Sequence, residues 1–330
     1  MKRREFITLL GGAAAASSNL WSFAARAQQS ALPVIGFLGS TSSGKYGQRL
    51  ARFRLGLKEA GYVEDQNVAV QYRWADDDYK MLPALAADLV RRQVAVIVAG
   101  DGPAVPAVKA ATSTIPVVFQ TGYDPVQFGL VASLNRPGGN LTGVTVLTVE
   151  LMPKLLELLH EVAPTASVIA LLLNPTNANA ETQVRILQAS ASGFGLQLHV
   201  LHATTESEID SAFATLVKLR AGGLVLGTDT FINSRSEQIA TLALRYAVPA
   251  ISQFREFAMA GGLMSYGSDI TDSYHLVGNY TGRILKGEKP ADLPVQQSTN
   301  VELYINQKTA KALGLTVPQA LLSRADEVIE

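Results

Sequence analysis

The sequence predicts an α/β protein of two lobes, each a parallel sheet covered by helices. Apolar runs of strand length alternate with helical periodicity from about residue 32 onward, and that alternation means parallel strands joined by crossover helices. Ten or so such strands are more than one sheet holds comfortably. At roughly 100–200 residues per domain, a chain of 330 residues has room for two cores.

In order along the chain, Pro33–Gly39 reads as a buried strand, and Leu50, Phe53, Leu57 and Ala60 follow at helical spacing. Val68, Val70, Tyr72 and Trp74 alternate as a half-buried strand does. Val94–Ala99 and Pro116–Gln120 are further strands, with a helix from about Pro103 between them. Leu141–Val146 follows the turn Arg136-Pro137-Gly138-Gly139. The pattern then restarts. Glu150–Val162, Asn177–Gly193, Glu206–Arg220 and Ser234–Tyr246 are helical. Val168–Leu173, Leu196–Leu201, Gly223–Gly227 and Val248–Ser252 are the strands between and after them. The boundary between the two sets falls near residues 144–150.

Composition excludes several classes of function. The 28 basic and 28 acidic residues leave no basic surplus for nucleic acid. With no cysteine there is no disulfide, thiolate metal site, cysteine nucleophile or lipoprotein anchor. The first 27 residues read as an export signal: Lys2, Arg3 and Arg4, an apolar stretch from Phe6 to Ala16, and the small-x-small site Ala25-Arg26-Ala27. The paired arginines followed by Phe6 and Ile7 resemble a twin-arginine signal, with cleavage expected after Ala27. Removing that segment takes away Lys2, Arg3, Arg4, Arg26 and Glu5, and the remainder carries a slight acidic excess. No later segment reaches transmembrane length without a charge, so a soluble, exported product is expected.

Catalytic motifs are missing or incomplete. Gly39-Ser40-Thr41-Ser42-Ser43-Gly44-Lys45 fits seven positions of a phosphate-binding loop, but Tyr46 stands where Ser or Thr would hold magnesium. The plainer reading is a polar strand-to-helix turn that presents hydroxyls and amides to a ligand. His199 and His202 point to opposite faces of a strand, and His160 and His275 lack ligand spacing. Neither a Gly-x-Ser-x-Gly elbow nor a Gly-x-Gly-x-x-Gly fingerprint occurs. No metal or cofactor is expected.

Polar residues gather instead at the carboxyl ends of strands, where open α/β sheets bind ligands. In the first lobe these are Ser40, Thr41, Ser42, Gly100, Asp101, Tyr123 and Asp124. In the second they are Asn174, Asp229, Gln253 and Phe254, and Tyr266 joins them as an aromatic candidate. Each short polar residue is also a good helix cap, and capping is the alternative role for any one of them. Together, in two facing lobes, they predict a ligand cleft. Asp101, Asp124 and Asp229 stand there with few cations beyond Lys45 and Arg255. With Tyr46, Tyr123, Phe254 and Tyr266 they suit a ligand that joins an ammonium to an apolar or aromatic body.

Asp124-Pro125-Val126, Gly129–Leu134 and Arg136-Pro137-Gly138-Gly139-Asn140-Leu141-Thr142-Gly143-Val144 resemble the signature of the ABC-transporter substrate-binding proteins of the tryptophan/tyrosine-binding type. Ala260–Gly267, Arg283–Gly287, Pro290–Val295 and Asn306–Leu315 match that family as well. The resemblance implies a type I periplasmic binding protein: two Rossmann-like lobes, three crossing segments, and a ligand trapped by hinge closure. It puts the crossings near 144–148, 254–260 and 288–300. The first lobe is then 32–145 plus about 256–288, and the second 146–255 plus about 289–330. One departure, Asp101-Gly102-Pro103-Ala104 where the family has a Thr/Ser-Pro-Ala-type turn, bears on ligand choice.

The resulting expectation is a periplasmic, monomeric, non-enzymatic component of an ABC importer. It would capture a small polar ligand, amino acids and aromatic ones included, and deliver it to a membrane permease. A ligand-sensing module for a membrane receptor is the alternative, since fold does not fix function. A hydrolase is the second alternative.

Overall fold

In the computed structural model the described residues are 32–146, 148–298 and 300–330, and their strands form two sheets. The export signal read from residues 1–27 lies outside them. The first passage of the chain lays down β1 (Val34–Gly39), β2 (Ala69–Trp74), β3 (Val96–Ala99), β4 (Val117–Thr121) and β5 (Leu141–Thr145). The second lays down β6 (Val168–Leu173), β7 (Gln197–His202), β8 (Gly223–Leu226), β9 (Ala250–Ser252) and β10 (Met264–Ser268). The chain then returns for β11 (Gln296–Gln297) and ends with β12 (Val301–Asn306) and β13 (Glu327–Ile329).

The first sheet runs β11-β5-β4-β3-β1-β2, every neighbouring pair parallel. The second runs β13-β12-β10-β9-β8-β6-β7 and is parallel except where β12 meets β10. Strands covered on both faces are apolar without alternation, as in the VIVA of β3 and the VIALLL of β6. In each lobe the first strand lies between the second and the third, so the winding direction reverses between β1 and β3 and again between β6 and β8. Such reversals leave a crevice beyond the strand ends.

The first lobe carries α1 (Gly47–Glu59), α2 (Leu82–Arg91) and α3 (Ala104–Ala111). The second carries α4 (Met152–Val162), α5 (Ala180–Gly193), α6 (Glu206–Leu219), α7 (Thr230–Ser234), α8 (Ser236–Arg245) and α9 (Arg255–Met259). Next comes α10 (Ile270–Leu285), which packs on α1. Asp269 starts it by accepting from the Thr271 amide. The two helices approach closely at Gly56 and Gly278, where a Cβ would overlap the backbone carbonyls of His275 and Phe53. Side chains from both helices, Phe53, Leu57, Tyr274 and Val277 among them, are buried with Ile35 and Phe37 of β1.

Several expectations need correction. The chain stays in the second sheet through α9 and β10, so the return to the first lobe follows Ser268 instead of falling near 254–260. The Gln296–Gln297 strand still pairs with Val144 and Thr145, so the last crossing comes after it and the second lobe resumes later than residue 289. Helix α2 has no counterpart in the sequence reading. The helix read over 234–246 is α8, and the reading lacks the short helix α7 before it, separated from α8 at Arg235, which departs from helical dihedrals (φ −108, ψ 19).

Candidate functional site

At the first reversal, the Asp101 carboxylate beyond β3 reaches back to the loop after β1. Its Oδ2 accepts from the Ser40 amide at 2.8 Å, the Ser40 hydroxyl at 2.7 Å and the Tyr46 hydroxyl. Its Oδ1 accepts from the Ala104 amide at 3.1 Å. Burial raises the Asp101 carboxyl above the usual carboxylate range, and burial first, then the Asp101 charge, raises the Tyr46 phenol.

At the second reversal the same device recurs. Asp229, beyond β8, accepts from Asn177 Nδ2 at 2.7 Å and Asn174 Nδ2 at 3.3 Å, both from the loop after β6. It also caps α7 through the Phe231 and Ile232 amides at 2.9 and 3.2 Å. Gln183 of α5 fixes the neighbouring residue: its Oε1 accepts from the Thr228 amide at 2.7 Å, and its Nε2 donates to the Thr228 carbonyl at 3.1 Å. Burial raises the Asp229 carboxyl as well.

A small cavity of about 40 Å³ lies between these two ends. Arg49, Asp101, Gln120, Tyr123 and Ile270 line it from the first lobe; Asn177, Asn179, Thr228, Asp229, Asn233 and Phe254 line it from the second. Thr228 Oγ1 is buried there without a partner. A neighbouring pocket of about 390 Å³ shares Arg49, Thr230 and Asn233 with it and adds Thr41, Lys45, Gln48 and Glu256. The lobes touch across the mouth. The Tyr79 hydroxyl lies 3.1 Å from Asp229 Oδ2 and accepts from the Phe231 amide at 3.1 Å. Arg235 pairs with Asp77 at 2.8 Å, and Lys45 Nζ donates to the Ser234 carbonyl at 3.1 Å.

Of the residues expected at the site, Asp101, Tyr123, Asp229 and Phe254 line the cavity, and Thr41 lines the neighbouring pocket. Ser40 stands behind the wall as a donor to Asp101, and the Gly100 carbonyl accepts from the Tyr274 hydroxyl. Gln253 is also behind it, with Nε2 3.2 Å from Asn233 Oδ1 and Oε1 unpartnered. Asn174 faces a separate polar cleft beside Tyr79 and Arg235. Ser42 is half-buried in the turn, its carbonyl taking the Lys45 amide.

Two are elsewhere. Asp124 caps a turn through the Val126 and Gln127 amides at 2.7 and 3.2 Å, outside the cavity wall. Tyr266 sits in mid-strand opposite Leu303, not at the carboxyl end of β10, and packs against core residues. The ammonium role read for the carboxylates also changes. A carboxylate has about four lone-pair positions, and the protein's own donors occupy those of Asp101 and Asp229.

Sequence reasoning missed Arg49, Gln120, Asn177, Asn179 and Asn233. Asn177 and Asn179 had a signal, since they continue Asn174-Pro175-Thr176 before α5 begins at Ala180. Arg49 had none, being inside a helix. The phosphate-loop pattern ends in a turn whose Lys45 reaches the opposite lobe. Among the described residues no group of three His, Asp or Glu side chains is placed to hold a metal. No helix among them is long and apolar enough to cross a membrane.

Two α/β lobes with facing crevices define the fold of type I periplasmic binding proteins. The chain belongs to the ABC transporter substrate binding protein family, whose pattern matches residues 48–329. It is 28% identical over 260 residues to a tyrosine-binding protein of Clostridioides difficile, covering 78% of this chain and 74% of that one. The structure of an ABC domain in complex with L-Trp from Streptococcus pneumonia is 27% identical, with a TM-score of 0.80, covering 91% of this chain and all of that one. The ligand-free, open structure of a substrate-binding protein with adhesive properties from Clostridium difficile is 26% identical over 90% of this chain and 99% of that one, yet its TM-score is 0.62.

Proposed function

We propose that this chain is the exported, periplasmic binding component of an ABC importer, that it captures an amino acid between its lobes, and that an aromatic amino acid is the best candidate. The observation that carries the reading is the polar cavity set between two strand-order reversals and lined from both lobes. Capture is a hinge motion: a ligand that touches both walls only when the lobes meet shifts the population toward the closed form. The contacts of Tyr79, Asp77 and Lys45 across the mouth support a closed arrangement. So does the higher similarity to the L-Trp complex than to the open structure at nearly equal identity. Release to a membrane permease follows reopening, and no covalent chemistry is involved.

The test is a thermal-shift and calorimetric screen of the purified chain from residue 28 against the common L-amino acids. A ligand at about 100 times its dissociation constant adds about 2.7 kcal/mol of stability, which is a rise of several degrees in a protein of this size. L-Tryptophan or L-tyrosine is expected to give it. A screen in which no amino acid raises the melting temperature rejects the reading.

A further inference from the structure

The inner cavity alone does not hold an aromatic amino acid. An apolar cavity of about 150 Å³ takes a benzene ring, and this one measures about 40 Å³. The ligand must extend into the adjoining pocket of about 390 Å³, and Arg49, Thr230 and Asn233 form the wall common to both.

Three features of that pocket point to a negative group. First, Arg49 lies between two rings, its guanidinium carbon 5.5 Å from the Tyr46 centroid and 5.8 Å from that of Tyr274. Among the described residues no carboxylate pairs with it at ion-pair distance. Ring faces satisfy the planar faces of a guanidinium; one Arg49 N–H is also directed to the Tyr274 hydroxyl, and the other edge donors are left for a planar acceptor. Second, Thr41 Oγ1 is fully buried with no partner and lines the same pocket. A buried hydroxyl without a partner costs free energy that an incoming acceptor recovers. Third, the pocket stands at the start of the 13-residue helix α1, where no side chain caps the end and no acid occupies the first turn. The positive end of the helix dipole is therefore not offset by a residue of the chain. Glu256, the acidic residue lining the facing wall, supplies the opposite charge for an ammonium.

Resting on the amino-acid reading above, we infer that Arg49 and Thr41 form the carboxylate subsite and make a free α-carboxylate a requirement for binding. Asp101 and Asp229 then shape the two loops and do not ligate the ammonium directly. Specificity for the acid follows because an amide offers no charge to a desolvated guanidinium.

Calorimetry on the chain from residue 28 decides this, with L-tryptophan and L-tyrosine compared against their carboxamides, which keep ring and ammonium. The wild type is expected to prefer the acid by about 100-fold, as for a desolvated charge pair. Arg49→Gln is expected to cut the preference below about fivefold, mostly by losing affinity for the acid. Arg49→Lys is expected to fall between and carries the test if the Gln variant does not fold. Thr41→Val is expected to weaken the acid about fivefold and the amide less. Equal binding of acid and amide by the wild type overturns the inference, and so does an undiminished preference in Arg49→Gln. A wild type that binds no amino acid at all is a different result, visible without any variant, and rejects the underlying reading along with this one.

Discussion

The two lobes solve one problem twice. In each, the strand order reverses and leaves two loops to be held at a fixed spacing, and in each a buried aspartate ties them together. Asp101 joins the loops after β3 and β1, while Asp229 joins those after β8 and β6. The difference lies in where the donors come from. Those of Asp101 all belong to its own lobe: Ser40, Tyr46 and Ala104. Asp229 is also approached by the Tyr79 hydroxyl, which comes from the turn preceding α2 in the opposite lobe. One aspartate therefore braces loops of its own lobe alone, and the other also meets a residue of the opposite lobe.

The sharpest way to break that comparison is to remove each carboxylate. Asp101→Ala strands several buried donors in the first lobe, whatever the lobe arrangement. A loss of about 3–5 kcal/mol is expected, read as a fall of roughly 10 °C in the melting temperature of the ligand-free protein. Asp229→Ala should give a comparable loss and, in addition, a larger fall in affinity than Asp101→Ala. On the hinge motion proposed above, its removal also deletes a contact that holds the lobes together. Equal effects on affinity from the two variants, with both folded, would show that the Tyr79 contact has no part in closure.

Tyr79→Phe isolates that contact at smaller cost. The Phe231 amide keeps Asp229 Oδ1 as an acceptor, so the lobe itself loses little. Burial, and then the Asp229 charge, raises the Tyr79 phenol well above its ordinary value, so the hydroxyl remains a donor throughout the working pH range. One hydrogen bond is worth about 1 kcal/mol, or about fivefold in affinity. The expected result is therefore an unchanged melting temperature without ligand and about fivefold faster ligand dissociation. A lower melting temperature with unchanged dissociation would make Tyr79 a packing residue.

Much of this contrast was legible in the sequence, and the reasons for the rest are specific. Short polar residues at strand ends pointed to Asp101 and Asp229, because a strand's carboxyl end is fixed by its apolar run. Those same residues do not reveal which way they face. Asp124 obeys the same pattern and spends its carboxylate on two amides of its own turn. Tyr79 and Arg49 lie in helical turns whose pattern reports only which face is apolar, so contacts made over a separation of 150 residues left no local trace. The boundaries failed at α9 and β10 because they continue the strand–helix alternation without a break. Where the chain changes lobe is set by the pairing of β10 with β9, and no residue in the sequence announces it.

The smallest expected effect concerns the outermost contact. Asp77 and Arg235 pair across the mouth at 2.8 Å, with side chains 18% and 16% exposed. Arg235 has second-lobe company in Glu206 at 3.0 Å and the Phe231 ring at 5.2 Å, so replacing it disturbs more than the bridge. Asp77 is the better position. Its backbone is in the left-handed region (φ 69), which asparagine tolerates, so Asp77→Asn removes the charge and leaves the turn intact. Ion pairs near a surface are worth about 0.2–1 kcal/mol, and at 1 M salt the screening length shrinks to about 3 Å. Asp77→Asn should therefore weaken binding of the amino acid about two- to fivefold at low ionic strength and scarcely at all near 1 M salt. An affinity loss independent of salt would assign Asp77 a role in shaping its turn, and the ionic contact across the mouth would then contribute nothing to closure.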